Sequence, residues 1–120
     1  RLKIVCGPQD EARKRAEAFR HLEHPDPNLI VVFGGDGSML HAIRQHWRLR
    51  LPFLGLNAGH LGHLMNEVVS ADLAQAEFIL HRMPMLRVDI AAEDGTTTRG
   101  LGFNDAWVER DSGQGAWLQV

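Results

Sequence analysis

A single carboxylate, Asp36, lies among glycines in the run Gly34-Gly35-Asp36-Gly37. Glycine permits positive φ and a close approach of the backbone to a ligand, and the free N–H groups at the start of a helix favour an anion. This combination predicts a turn that binds phosphate. A negative charge in such a turn repels phosphate unless it binds a metal ion or accepts a proton, so Asp36 is the first catalytic candidate.

Two better-known glycine motifs do not match this turn. The dinucleotide fingerprint needs glycine where Leu40 stands, and a Walker-type loop needs a following pair of Lys and Ser or Thr. Glycine turns between a strand and a helix also occur in many α/β proteins without a ligand. A purely structural turn therefore stays open beside the phosphate-binding interpretation.

The residues on either side of the turn predict the elements that position Asp36. The apolar run 29–33 is typical of a strand buried on both faces, and a helix is predicted over about 38–47. His41 lies in the first turn of that helix, where it could contact a ligand or be an ordinary surface histidine. The apolar side of the helix would consist of four core residues, Met39, Leu40, Ile43 and Trp47.

A second glycine-rich loop follows the next predicted strand, 52–57. This strand ends in Asn57 and opens into a loop that contains Gly59 and Gly62. Ligands bind at the carboxyl edge of parallel sheets in doubly wound folds, so both loops are expected to share one crevice there. His60 and His63 have a metal-like spacing, but no cysteine or third histidine is close in sequence, and a metal site is the weaker alternative.

The rest of the first half continues the alternation of strands and helices. A first strand is predicted over 2–6, then a helix over 10–22 with Asp10 as its N-cap and a charged, solvated outer face. A third helix is predicted from Ser70 until Pro84. The apolar faces of these two helices would be formed by Ala12, Ala16, Phe19 and Leu22 in one and by Leu73, Ala76, Leu80 and Met83 in the other.

Past Pro84 the pattern changes to antiparallel strands. Apolar and charged residues alternate over 86–90, and Asp94-Gly95 is a hairpin turn that leads into a return strand from Thr96. Further strand-like stretches are 106–109 and 116–120. The predicted fold class is therefore α/β, with a Rossmann- or flavodoxin-like parallel domain over 1–84 and the beginning of an all-β domain over 85–120.

Composition restricts the class of protein. The chain has 120 residues, a net charge of −2 and one cysteine, Cys6. No apolar run approaches the roughly 18 residues of a membrane span, and no basic cluster is interleaved with aromatic residues, so neither a membrane nor a nucleic acid is an expected partner. A lone cysteine excludes an internal disulfide and favours the cytoplasm. Because the chain begins with Arg1 and stops within an apparent strand, it is expected to be part of a longer protein.

Three stretches, in this order, resemble the NAD kinases. They are 33–40 (Phe-Gly-Gly-Asp-Gly-Ser-Met-Leu), 51–62 (Leu-Pro-Phe-Leu-Gly-Leu-Asn-Ala-Gly-His-Leu-Gly) and 103–108 (Phe-Asn-Asp-Ala-Trp-Val). The first is shared with diacylglycerol and sphingosine kinases, whereas the Asn-x-Gly-x-Leu-Gly core of the second is far more specific to NAD kinases.

The resemblance implies transfer of a phosphoryl group from ATP or polyphosphate to the 2′-hydroxyl of the adenosine ribose of NAD, with a divalent metal ion, Mg²⁺, present. Carried over by position, Asp36 would be the proton acceptor. Phosphoryl transfer needs mainly positioning, charge neutralisation and one group that orients the attacking hydroxyl, which a single aspartate can provide. The implied ligand-binding residues are Gly35, Asp36, Gly37, His41, Asn57, Gly59, Asn104 and Asp105. Family members are commonly homo-oligomers.

Two departures from the family qualify this resemblance. His63 stands where the family usually has Phe, so adenine packing there would differ. The family's Thr-Pro-Thr-Gly-Ser-Thr-Ala-Tyr stretch is absent from the chain, which leaves open whether the chain is active by itself. The alternatives are a diacylglycerol- or sphingosine-type kinase and a non-catalytic nucleotide-binding module.

Overall fold

The computed structural model describes residues 1–58, 62–67, 73 and 76–107. The chain divides into two compact units, Arg1–Arg82 and Met83–Val120. The first contains strands β1 (Leu2–Cys6), β2 (Leu29–Gly34) and β3 (Phe53–Asn57) with helices α1 (Asp10–Glu17) and α2 (Asp36–His46), and the second contains β4 (Leu86–Ala91) and β5 (Thr97–Gly102). The predicted succession of a parallel α/β sheet and an antiparallel sheet is confirmed.

Strand β2 is the centre of the first unit. It pairs in parallel with β1 on one side and with β3 on the other. Alternate residues of β2 point to opposite faces, and four of them are fully buried, Ile30, Val31, Val32 and Phe33. Val31 and Phe33 pack with Ala12 and Ala16 of α1, whereas Ile30 and Val32 pack with Met39 and Ala42 of α2. The prediction of a strand buried on both faces is therefore confirmed.

The two crossovers of this sheet have opposite hands. The strands follow one another in the order β1-β2-β3, yet α1 and α2 cover opposite faces. One of the two connections is therefore left-handed, whereas about 98% of such connections are right-handed. The connection from β2 to α2 is very short, since only Gly35 separates the end of the strand from the start of the helix.

Helix α1 is shorter than predicted. It ends at Glu17, and a 3₁₀ turn follows over Arg20–Leu22. The Phe19 N–H donates to the Ala16 carbonyl oxygen at 2.9 Å, and this tighter winding brings the Phe19 ring to 5.3 Å from that of Phe33. The N-cap is Gln9 rather than the predicted Asp10, which is the first helical residue, where its charge favours the helix dipole.

The predicted third helix is wrong where the structure describes it. Residues 76–85 contain no helix, and the predicted stripe is exposed, with Leu80 at 70% and Met83 at 54% exposure. An amphipathic helix gains most of its stability from packing its apolar face, and these side chains pack on no core. Leu73 is half-buried against the core on the α1 side. The remaining residues of this prediction lie outside the described ranges.

The second unit contains a hairpin. Strands β4 and β5 pair antiparallel from Leu86 with Gly102 to Ala91 with Thr97, which confirms the predicted hairpin. Gly95 has a φ of 84° and donates to the Ala92 carbonyl oxygen at 3.0 Å, as a short hairpin loop with a left-handed glycine requires. Of the predicted strand 106–109, the first two residues are described and are not in a strand, and residues 108–120 lie outside the described ranges.

Candidate functional site

The glycine turn after β2 requires glycine first at Gly34. Its φ is 153°, a conformation that side chains rarely adopt, and a Cβ there would come within 2.7 Å of the Ser38 Cβ. Ser38 also lies against Gly7 at the end of β1, and the Gly7 N–H donates to the Phe33 carbonyl oxygen at 2.7 Å. The start of α2 is thereby packed against the ends of β1 and β2, at the carboxyl edge of the sheet.

At the other two positions of the turn, Gly35 and Gly37, the fold itself does not require glycine. Gly35 and Gly37 have no positive φ, and a Cβ at either position would meet no atom within 4 Å. Neither the backbone conformation nor the packing of the described residues demands glycine there. The bare backbone at Gly35 and Gly37 instead leaves open space at the N-terminus of α2, where unpaired N–H groups favour an anion.

Asp36, the first residue of α2, has both carboxylate oxygens engaged by one peptide segment. The His63 N–H donates to Oδ2 and the Leu64 N–H donates to Oδ1, each over 2.9 Å. These two backbone hydrogen bonds hold the pKa of the Asp36 carboxyl below its ordinary value, with that of Leu64 the larger cause. The carboxylate is therefore ionised at neutral pH and fixed in direction.

The segment that binds Asp36 is itself anchored to β3. The Asn66 N–H donates to the Gly55 carbonyl oxygen at 2.8 Å, and the Asn57 N–H donates to the Asn66 carbonyl oxygen at 2.8 Å. Leu64 and Met65 pack against the core on the α2 side. The loop after β3 thus returns to the sheet and meets the glycine turn, as expected for two loops that share one edge.

A cleft of about 540 Å³ opens beside the turn. The end of β1 forms one side and the start of α2 forms another, and Arg13 and His41 are the basic residues among those that line it. Gln45 Nε2 lies 2.8 Å from His41 Nε2, which orients the imidazole. His41 therefore faces the cleft beside the glycine turn. The cleft is lined by Val5, Cys6, Gly7, Pro8, Arg13, Gly37, Ser38 and His41.

Sequence analysis missed Arg13. The charge pattern of α1 predicts a solvated position for Arg13, yet Arg13 lines the cleft in the first part of that helix. Its position shortly after β1, and therefore near the same sheet edge as the glycine turn, was the available signal. Asp36 is not one of the cleft-lining residues, because its carboxylate is directed to residues 63 and 64, but its neighbour Gly37 is.

Asn57 is fixed through its backbone from two sides. Its carbonyl oxygen accepts a hydrogen bond from Arg15 Nη1 at 2.9 Å, and Arg15 Nε in turn donates to Glu11 Oε1 at 3.0 Å. The next N–H, that of Ala58, donates to the Gly34 carbonyl oxygen at 3.1 Å. In the described part of the chain the buried Asn57 Oδ1 has no hydrogen-bond partner, so an acceptor is available near the turn.

For three predicted ligand residues the structure gives no position relative to the turn. Gly59 is outside the described residues. Asn104 and Asp105 follow β5 in the second unit and are exposed. Asn104 has a φ of 85°, a conformation that asparagine tolerates better than most residues.

The described side chains do not form a metal site. Within residues 1–58, 62–67, 73 and 76–107, no three His, Cys, Asp or Glu side chains are grouped so that they could hold one ion. The described residues therefore offer no cluster of side chains that would hold a divalent cation without a ligand. Neither described helix has the length and apolar character that a membrane span requires.

A comparison with known protein families gives a match that includes the glycine turn. The model of the ATP-NAD kinase N-terminal domain matches residues 3–83, which is more than half of the chain. The chain belongs to the NAD kinase family. The matched range contains the glycine turn, Asp36 and the described part of the loop that binds it.

Curated NAD kinases match most of the chain. That of Brucella suis biovar 1 (strain 1330) is 34% identical over 107 residues, which is 87% of this chain and 41% of the relative. That of Rhizobium meliloti (strain 1021) is 33% identical over 128 aligned positions, 99% of this chain and 49% of the relative. That of Rickettsia typhi is 32% identical over 104 residues, 85% and 41% respectively. The chain thus spans less than half the length of these relatives. No solved structure matches it significantly.

Proposed function

We propose that the protein that carries this chain phosphorylates NAD. In this proposal a phosphoryl group passes from ATP, or from polyphosphate, to the 2′-hydroxyl of the adenosine ribose of NAD and gives NADP. The observation that supports it most directly is the ionised Asp36 carboxylate at the N-terminus of α2, beside two glycines whose missing side chains the fold does not explain.

Asp36 is the proposed proton acceptor. Phosphoryl transfer is accelerated mainly by positioning and charge stabilisation, with one group to orient the attacking hydroxyl. Each carboxylate oxygen has two acceptor sites, and one on each is used by His63 or Leu64. A hydroxyl can therefore donate to Asp36 without loss of either backbone bond. The lowered pKa makes Asp36 a weak base that is ionised at neutral pH, which suits orientation of the hydroxyl more than early proton removal.

The cleft beside Gly37 is the proposed place of phosphate groups. The N-terminus of α2, Arg13 and His41 together supply attraction for an anion. Asn57 and Gly59 would bind ligand from the second loop, and Asn104 with Asp105 would hold NAD, as the family resemblance implies. The repulsion between the Asp36 charge and phosphate is offset by the amides that already bind this carboxylate.

A divalent cation is proposed to accompany the phosphoryl donor. Mg²⁺ keeps several waters and is commonly bound through substrate phosphates together with one or two carboxylates. A cluster of protein ligands is therefore not needed for its presence. We also propose a cytoplasmic, homo-oligomeric protein.

The decisive assay measures NADP. The protein that carries this chain is incubated with NAD or NADH, with ATP or polyphosphate, and with Mg²⁺; NADP or NADPH should form with at least one donor. Because the chain covers 41–49% of the compared relatives, we expect the isolated 120 residues to bind nucleotide but turn over poorly. Phosphorylation of a lipid alcohol instead of NAD would favour the lipid kinase alternative. Nucleotide binding without any phosphoryl transfer would favour a binding module.

A further inference from the structure

We propose that Gly62 is a positioning residue for Asp36, and that the absence of a side chain at position 62 is what lets the loop after β3 hold the carboxylate in one direction. The inference rests on the proposed function, in which a sugar hydroxyl donates to Asp36. It concerns a residue that touches no reacting atom and acts only through Asp36.

The first observation is that the loop after β3 binds both oxygens of the Asp36 carboxylate. One oxygen accepts from the His63 N–H and the other from the Leu64 N–H, both at 2.9 Å. Two donors on successive residues fix the plane of the carboxylate as well as its distance from the loop. The remaining acceptor sites therefore face a defined direction at the start of α2.

The second observation concerns the reason for glycine. Gly62 has no positive φ, so its backbone conformation does not require glycine. A Cβ at this position would come against Asp36 Oδ1 and within 2.9 Å of Asp36 Cγ. Real Cβ atoms essentially never show such contacts, so a side chain at 62 and the present Asp36 orientation exclude each other.

The third observation indicates whether the loop or the Asp36 side chain would move if residue 62 had a side chain. The same Cβ would lie 3.3 Å from Met65 Cγ, and Met65 packs against the core beside Gly55. The next residues are paired with β3 through Asn66. The loop is thus held on its far side, whereas the Asp36 side chain is half-exposed and can rotate. An added methyl group is therefore expected to displace the carboxylate from its two amides.

The consequence for the reaction is a loss of orientation. A misplacement of about 1 Å in a reacting group can cost on the order of 10²-fold in rate. Loss of the two backbone bonds also removes what lowers the Asp36 pKa, so this pKa should return toward the ordinary aspartate value of about 3.9. A glycine with a purely structural role would not link a loss of rate to a change in the titration of Asp36.

The test compares Gly62→Ala with Gly100→Ala in the protein that carries this chain. Gly100 lies in β5, has no positive φ, and a Cβ there would meet nothing within 4 Å, so it is a matched control. For Gly62→Ala we expect kcat to fall about 100-fold with little change in the KM for NAD. In the same variant, the NMR titration of the Asp36 carboxyl carbon should move to higher pH. Gly100→Ala should match the unmodified protein in both.

Two results would overturn the proposal. One is an unchanged kcat in folded Gly62→Ala; the other is a lowered kcat with an unchanged Asp36 titration. If the unmodified protein forms no NADP, the proposed function fails, while the titration still tests the positioning by itself.

A second variant covers the case in which Gly62→Ala does not fold. Asp36→Asn keeps the shape of the side chain but presents an NH₂ group to one of the two backbone donors. Hydrogen exchange at the His63 or Leu64 amide should then become faster than in the unmodified protein. If the exchange rates of both amides were the same in Asp36→Asn as in the unmodified protein, the carboxylate would not stabilise the loop through these hydrogen bonds.

Discussion

The guanidinium of Arg15 donates from Nη1 to the main-chain carbonyl oxygen of Asn57 across 2.9 Å. This bond joins α1 to the last residue of β3, across 42 positions of sequence. Glu11, one helical turn earlier, holds the same guanidinium through Nε. The start of the second ligand loop is therefore positioned partly by a helix that sequence analysis assigned only a core-packing and solvent-facing role.

Replacing Arg15 by Gln should lower the free energy of unfolding by about 1 kcal/mol. Hydrogen bonds to charged groups contribute about 1.5–3 kcal/mol, and solvent screening reduces this value because the Arg15 side chain is 40% exposed. Urea unfolding measures the effect. Lys14→Gln removes a neighbouring exposed charge from the same helix and is the matched control. Equal stability of the two variants would mean that the bond to Asn57 contributes nothing.

Asp36 should make stability depend on pH in the acid range. Its folded-state pKa is lower than the unfolded value, so its contribution is fully present above the unfolded pKa and is lost as the pH falls through the folded pKa. Compared with Asp36→Asn, the unmodified protein should therefore be more stable at pH 7, and the difference should shrink below about pH 4. Chemical unfolding over this range measures it. A difference that stays constant with pH would contradict the assigned hydrogen bonds.

Gly37→Ala should separate ligand binding from folding. Gly37 lies in the first turn of α2 with open space around it, and alanine favours a helix over glycine by up to about 1 kcal/mol. The variant should be as stable as the unmodified protein or more so, yet bind nucleotide about tenfold more weakly, because the methyl group occupies the proposed phosphate space. Thermal unfolding and calorimetric titration with ATP and NAD measure both. Undiminished affinity would leave this glycine without a ligand role.

Gly34→Ala is the contrasting variant at the same turn. There the φ of 153° and the contact with Ser38 oppose a side chain. In thermal unfolding this variant should be less stable than the unmodified protein, whereas Gly37→Ala should not; equal stability of the two variants would contradict the different reasons given for glycine at 34 and 37.

Local signals in the sequence were sufficient for much of this fold. The β-branched run of β2 and the Gly-Gly-Asp-Gly turn predicted a strand, a turn and a helix, and Asp94-Gly95 predicted the hairpin, because each depends on neighbours along the chain. The placement of His41 beside the turn followed from the same helix.

The remaining features depend on contacts between distant segments. Leu80 and Met83 have helical spacing but are exposed and pack on no core, and residues 76–85 form no helix. The amides that hold Asp36 are 27 and 28 positions away, and no periodicity indicates them. The sequence also does not indicate why residue 62 is glycine. The cause is a contact with the distant residue Asp36 and not the local backbone conformation.

Steady-state kinetics of Asp36→Asn, in the protein that carries this chain, test whether Asp36 accepts the proton of the NAD 2′-hydroxyl. Asparagine keeps the size of the side chain but cannot accept the proton, and a general base contributes on the order of 10²- to 10⁴-fold. We predict that kcat for NADP formation falls by about this factor while the folded variant still binds NAD. A folded Asp36→Asn variant with near-normal kcat would show that Asp36 is not the proton acceptor.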